Sequence, residues 1–186
     1  TDSEKKVVAY HEAGHALLGL KLSQNEQVHK VTIIPRGRAL GLTLNLPTEE
    51  LHLHPKQYWL NMIVVLFGGH VAEKIRFGET TTGSSNDIER ATAIAKSMVC
   101  EWGMSEAVGP LTFRAANPLG GQPGHIISEQ TAMLIDGEVK KLVQSAHDQA
   151  RSILETHRAQ LDALTAALLE RETLTRTDMQ AIIGSS

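Results

Sequence analysis

The chain has 186 residues, of which 41% are hydrophobic, and a formal net charge of −3. That length and apolar content suffice for a buried core in one domain, and the slightly acidic balance excludes the basic footprint of a nucleic-acid-binding surface. Cys100 is the only cysteine, which excludes an internal disulfide framework and reads as a small hydrophobe inside a helix.

Thr1 and Glu4 fit a capping box. Val7, His11, His15, Leu18 and Leu22 then follow at helical spacing, so the chain is expected to open with a helix whose core face carries two histidines. His11 and His15 lie one turn apart on that face, where two imidazoles can share one metal ion. Glu12 lies about 60° round the axis from His15 at about 3.6 residues per turn, beside a bound ion without being a ligand. That is the general-base position of the His-Glu-x-x-His pattern in metallopeptidases. The bland alternative is a buried helical histidine pair with no metal, but two imidazoles without partners in a core would be costly.

Val28 to Ile34 reads as a strand, Pro35-Arg36-Gly37-Arg38 as a turn, and Leu40, Leu42, Leu44 and Leu46 alternate with Gly41, Thr43 and Asn45. The prediction is a β-hairpin. Its second strand, around Leu42, Thr43 and Leu44, is a candidate edge for holding a peptide as an added strand; the alternative is an ordinary half-buried strand. Leu51 to Pro55, with His52 and His54, reads as a solvated loop.

A second helix is expected from Lys56 to about Phe77, with Trp59, Ile63, Leu66, His70, Glu73 and Phe77 along one stripe. The longest apolar run, Met62 to Phe67, is too short to cross a bilayer, and no signal peptide stands at the start, so this segment reads as soluble. Glu73 falls on an otherwise buried stripe. Buried carboxylates are paired or bind metal, so Glu73 is either a metal ligand or the acceptor that holds a liganding imidazole, and spacing does not choose between them. Gly68-Gly69 permits close packing against the first helix.

Thr80 to Asp87 is a polar loop leading into a third helix, with Asn86 and Glu89 as caps and Ile88, Ala91, Ala95, Met98 and Trp102 facing the core before Gly103 ends it. Asp87 in the first turn is kept ionised by the helix dipole; it is either a metal ligand or merely a first-turn acid. Leu111-Thr112-Phe113 suggests a short strand, and the glycine- and proline-rich run from 114 to 127, with His125, reads as a mobile loop. A long helix from Ser128 to His157 carries Ala132, Ile135, Val139, Leu142, Ala146, Ala150 and Ile153 on one stripe. Leu161, Leu164 and Leu168 continue on a partner helix, and Thr175 with Asp178 caps a short last one. His147 and His157 read as surface residues. The expected fold is mainly α (α+β): a single domain over 1–186 with a catalytic core at 1–113, a small β-hairpin or sheet, and a C-terminal antiparallel helical bundle from 128.

Taken together, His11-Glu12-Ala13-Gly14-His15, Val28 to Gly37, Gly68-Gly69 with Ala72-Glu73, Thr81-Thr82-Gly83-Ser84-Ser85-Asn86-Asp87 and Trp102-Gly103-Met104-Ser105 resemble the peptidase domain of FtsH, the membrane-anchored, ATP-dependent AAA+ zinc protease. The resemblance covers residues from about 5 to 113, in the family's order. It implies a zinc-dependent endopeptidase (Zn2+ cofactor) with His11, His15 and Asp87 as ligands and Glu12 as catalytic base, and it makes Glu73 a partner of a liganding histidine. It also implies a homo-hexamer, an AAA+ module and transmembrane segments preceding Thr1 in the full protein, this domain on the cytoplasmic side or its organelle equivalent, and unfolded membrane and soluble polypeptides as substrates. The chain itself has no phosphate-binding G-x-x-x-x-G-K-[ST] loop. Two positions depart from the pattern: His70 stands where relatives usually carry arginine, and Lys74 where a second glutamate is common. Two rivals remain, an assembly domain with a non-catalytic structural zinc and a zinc hydrolase of small substrates. Glu12 argues against the first, because a structural site needs no base and closes its fourth position.

Overall fold

The computed structural model describes residues 1–22, 28–35, 43–44, 53–113 and 127–184. The fold is mainly α, with seven helices and one small sheet among the described residues. Helix α1, Asp2–Lys21, begins at the expected capping box: the Glu4 N–H donates to Thr1 Oγ1 at 3.3 Å, and Glu4 Oε2 accepts from the Thr1 hydroxyl and amine at 3.0 Å each. Its second half is buried on every face, from Ala9 to Gly19 except His11, which is largely buried. The expected single stripe was too narrow, because Ala9, Ala13, Gly14, Ala16 and Gly19 let neighbours approach from all sides. Helices pack on it around most of its circumference.

Strand β1, Val28–Thr32, pairs antiparallel with β2, Thr43–Leu44, as the hairpin expectation requires. Leu40, Leu42 and Leu46, the turn at 36–38, His52 and the 114–126 run lie outside the described residues. The other side of β1 pairs with β3, Thr173–Thr175, which brings the end of the chain back to its beginning. Among the described residues the sheet order β2-β1-β3 leaves β2 at an edge. Strand β3 escaped the sequence reading because three residues carry no period of two.

The expected second helix is two helices, α2, Lys56–Leu66, and α3, Gly68–Phe77, broken at Phe67. Gly68 and Gly69 have poor helix propensity, and Gly68 lies against the backbone of Gly14 on α1. A 3₁₀ turn, Thr82–Ser84, leads into α4, Ser85–Cys100. The helix therefore starts before Asn86, which caps nothing; Ser84 is its N-cap without a side-chain bond. Ala91, Ala95 and Met98 are buried as expected, but Ile88 is 38% and Trp102 40% exposed, so the core stripe of α4 is shorter than the apolar pattern. Cys100 is half-buried, and residues 111–113 form no strand.

Helix α5, Glu129–Thr156, is capped by Ser128, whose Oγ accepts from the Thr131 N–H at 3.1 Å. It is followed by α6, Arg158–Arg171, and α7, Arg176–Gly184. The predicted cap of α7 forms in both directions: Asp178 Oδ2 accepts from the Thr175 N–H at 2.9 Å and Thr175 Oγ1 from the Asp178 N–H at 3.1 Å. The apolar faces of these helices join the same core as α1 to α4, in one cluster running from Ala9 to Met179. Leu161, Leu164 and Leu168 of α6 are fully buried there, and α6 packs chiefly on α1.

Candidate metal centre

The site is built on a backbone-to-backbone approach of α1 and α3. A Cβ on Gly14 would overlap the Gly68 carbonyl oxygen and the Ala72 side chain, and one on Gly69 would overlap the His11 ring. Glycine at 14 allows α3 to lie so close and glycine at 69 leaves room for the His11 ring; one turn beyond Gly69, α3 delivers Glu73 against His11. The C-terminal half of α2 arrives from another side and presents the Val65 carbonyl to His15.

The outer nitrogens of both imidazoles are committed. His11 Nδ1–H donates to Glu73 Oε2 at 2.8 Å, and His15 Nδ1–H donates to the Val65 carbonyl oxygen at 2.7 Å. A carbonyl can only accept, so the His15 proton sits on Nδ1, and the carboxylate places the His11 proton likewise. The two Nε2 atoms therefore point inward and stand 3.0 Å apart. Asp87, in the first turn of α4, brings Oδ2 to 3.0 Å from His15 Nε2 and 3.2 Å from His11 Nε2. Side-chain exposures are 11% for His11, 8% for His15 and 17% for Asp87.

In neutral rings those inward atoms are two lone pairs facing each other and a carboxylate oxygen, an arrangement that repels unless a positive centre lies among them. Ligand atoms of a tetrahedral zinc at about 2.0–2.1 Å stand about 3.3 Å from one another, close to the separations here. The residues fit a divalent cation. Without one, a proton takes its place. Burial alone would lower the His11 pKa, but hydrogen bonds to Asp87 and Glu73 and the charge of Glu12 outweigh it and raise it to about 9. Burial would raise Asp87, yet its bonds to His11 and His15 hold it well below the usual carboxylate range. Glu73 is lowered in the same way, burial being outweighed by His11 and Thr81.

The sequence profile of peptidase family M41 matches residues 1–182. The chain belongs to peptidase family M41. Among its relatives, the ATP-dependent zinc metalloprotease FtsH of Pelodictyon phaeoclathratiforme is 44% identical over 189 residues, covering 99% of this chain and 28% of that protein. The protein of the same name from Methylococcus capsulatus is 45% identical over 188 residues, 98% of this chain and 30% of its own. That of Thermotoga maritima is 43% identical over 187 residues, 97% and 31%. The chain thus spans about a third or less of the length of these curated relatives.

Within this M41 chain the structure brings His11, His15, Asp87 and Glu73 together although 76 residues separate the first from the third. Among the described residues these two histidines and Asp87 are the only group of three or more side chains placed to share an ion. Glu73 touches the outer nitrogen of His11, so of its two sequence roles it occupies the partner's place. Glu12 is buried, 6% exposed, on the same turn of α1. Thr43 and Leu44 lie on β2, away from this cluster in sequence and element, and Leu42 is outside the described residues. His70 does not join the site; its ring lies 5.6 Å from His147, which is 28% exposed and packs on Phe67 at 5.5 Å instead of standing at the surface. Lys74 Nζ donates to the Gly78 carbonyl at 2.8 Å and closes the end of α3.

Sequence reasoning missed three participants. The Val65 carbonyl carries no sequence signal, since every residue has one. Thr81 and Ser84 donate to Glu73; the signal was a buried carboxylate, in need of donors, shortly before a run of hydroxyl side chains.

Proposed function

We propose that this chain is the peptidase part of a zinc-dependent endopeptidase, in which His11, His15 and Asp87 hold the ion and Glu12 is the general base. The observation that carries the reading is the inward meeting of His11 Nε2, His15 Nε2 and Asp87 Oδ2 within 3.2 Å, with both outer nitrogens already bonded. A zinc ion held there supplies Lewis acidity, lowering the pKa of water toward about 7 and polarising a carbonyl oxygen. Three protein ligands leave the fourth position open, which suits catalysis and not a structural staple. Glu73 and the Val65 carbonyl keep both imidazoles in the Nε2-inward tautomer. The Glu12 carboxylate takes a proton from the attacking water and passes it to the leaving amine.

The names of the relatives, ATP-dependent zinc metalloproteases, support an ATPase module in the same full-length chain and protein substrates; the resemblance to FtsH extends the proposal to an AAA+ module, transmembrane segments, a homo-hexamer, a membrane-anchored protein with this domain on the cytoplasmic side or its organelle equivalent, and unfolded polypeptides as substrates. No described helix is long and apolar enough to cross a membrane. The edge position of β2 supports substrate pairing along Leu42, Thr43 and Leu44, where backbone hydrogen bonds hold a peptide without demanding its sequence.

The test is Glu12→Gln in the full-length enzyme. The variant is expected to keep one zinc per chain and to lose casein hydrolysis by about 10²-fold or more, the usual contribution of a positioned base. Wild-type turnover by this variant would overturn the assignment of the base. Loss of zinc from Glu12→Gln would mean that Glu12 is part of the ligand set.

A further inference from the structure

The Glu73 carboxylate is 1% exposed and accepts four hydrogen bonds. His11 Nδ1 and Ser84 Oγ donate to Oε2 at 2.8 and 3.2 Å. The Thr81 N–H and Oγ1–H both donate to Oε1, at 3.0 and 2.6 Å. Thr81 supplies two of the four, and its hydroxyl bond is the shortest of them. The same hydroxyl oxygen accepts from the Gly83 N–H at 3.2 Å and so caps the 3₁₀ turn. That turn runs directly into the first turn of α4, where Asp87 sits. One side chain therefore fastens the carboxylate that orients His11 and shapes the turn that carries Asp87.

We propose that Thr81 is a positioning residue of the metal centre: through Glu73 it holds the His11 ring with Nε2 inward, and through the turn at 82–84 it sets the approach of Asp87. This rests on the reading of His11, His15 and Asp87 as metal ligands. The physical reason is the cost of a loose carboxylate. A buried Glu73 held only at Oε2, by His11 and the longer Ser84 bond, can rotate about its terminal torsion, and each rotation either breaks the His11 bond or swings the imidazole off the point where the three ligand atoms meet. Two donors on Oε1 remove that freedom before any ion arrives. Partners of liganding residues typically contribute about 10–100-fold to metal affinity.

The experiment measures zinc affinity by chelator competition and the melting temperature of the chelator-stripped protein, both on full-length enzyme. Thr81→Val keeps the branched shape and the backbone N–H but removes the hydroxyl. It is expected to bind zinc about 10-fold or more weakly while still folding, its metal-free melting temperature lowered by several degrees for the lost bond to Glu73 and the lost cap. Thr81→Ser restores the hydroxyl and is expected to restore affinity to within about twofold. Zinc binding by Thr81→Val within twofold of wild type overturns the proposal, as does an equal loss in Thr81→Ser, which would assign the effect to the methyl group.

The Glu73→Gln background tests whether the action passes through that carboxylate. There, adding Thr81→Val is expected to cost only the share that passes through the turn at 82–84, less than in the wild type; a full, additive loss would overturn the route through Glu73. If Thr81→Val does not fold, Ser84→Ala, which removes the longer bond to Oε2, decides: a measurable but smaller loss of zinc affinity supports the network, and wild-type affinity overturns it. A wild-type protein that binds no zinc would instead defeat the functional reading itself, so the two failures are distinct.

Discussion

His11 is tied at both ends of its ring, to Glu73 of α3 through Nδ1 and to Asp87 of α4 through Nε2, and the consequences differ between the loaded and the stripped protein. In the stripped protein its pKa is raised from 6.5 to about 9. A folded-state value above the unfolded one contributes stability that is fully present below about pH 6.5 and is lost as the pH rises through about 9. Asp87 and Glu73, both lowered, contribute in the opposite sense: their share is present above the ordinary carboxylate range and is lost in acid. The chelator-stripped protein should therefore show a lower urea midpoint at about pH 10 than at about pH 6, and His11→Gln should remove most of that alkaline decline. An undiminished decline in His11→Gln would assign it to other groups. Legibility at this scale follows the range of the contact. His11, Glu12 and His15 are neighbours on one helix, so spacing revealed them. Glu73 showed itself only as a charge on an apolar stripe. Asp87 could be tied to the histidines by resemblance but not by spacing, because the fold of α2, α3 and the polar turn has to close the distance.

At the scale of the elements, the approach of α1 and α3 separates two kinds of glycine. A Cβ on Gly14 would meet the backbone of Gly68, which cannot move without separating the helices, whereas a Cβ on Gly69 would meet the His11 ring, which can rotate away. Gly14→Ala is accordingly expected to destabilise the fold by about 1–3 kcal/mol through overpacking. Gly69→Ala should abolish zinc binding, because the displaced ring leaves the ligand set, and should lower the metal-free melting temperature only through the lost His11 bonds to Glu73 and Asp87. Comparing denaturant midpoints and zinc content of the two variants checks the pair; a Gly69→Ala protein that retains zinc at wild-type affinity would refute the second half. The double glycine was visible as a packing signal, but its effect on α2 and α3 was not. The stripe from Ile63 to Glu73 reads as one helix, and the interruption at Phe67 falls where Gly68 and Gly69 weaken the helix. Ile88 and Trp102 are exposed although they continue the stripe of Ala91, Ala95 and Met98; the Trp102 ring, tilted 36° to that of Trp59 with centroids 4.8 Å apart, packs there instead of entering the core.

Across the whole molecule the site joins distant parts of the chain. The proposed ligands come from α1 and α4, α6 packs on the same α1, and β3 ties the end of α6 to β1. An ion shared by α1 and α4 binds the folded chain only, so it should stabilise the entire core and not the site alone. Free zinc at about 100 times its dissociation constant contributes about 2.7 kcal/mol, which for a chain of this size is a shift of about 5–11 °C. Removing zinc with a chelator is expected to lower the melting temperature by about that amount while unfolding remains one transition. Leu161→Ala, in the fully buried row of α6, should cost about 2–5 kcal/mol and lower the loaded and stripped melting temperatures together, leaving the zinc-dependent difference nearly intact. Calorimetry of the four samples checks this. An early transition sensitive to zinc followed by a later one sensitive only to Leu161→Ala would show that the C-terminal helices form a cooperative unit of their own, coupled weakly to the helix that carries the histidines.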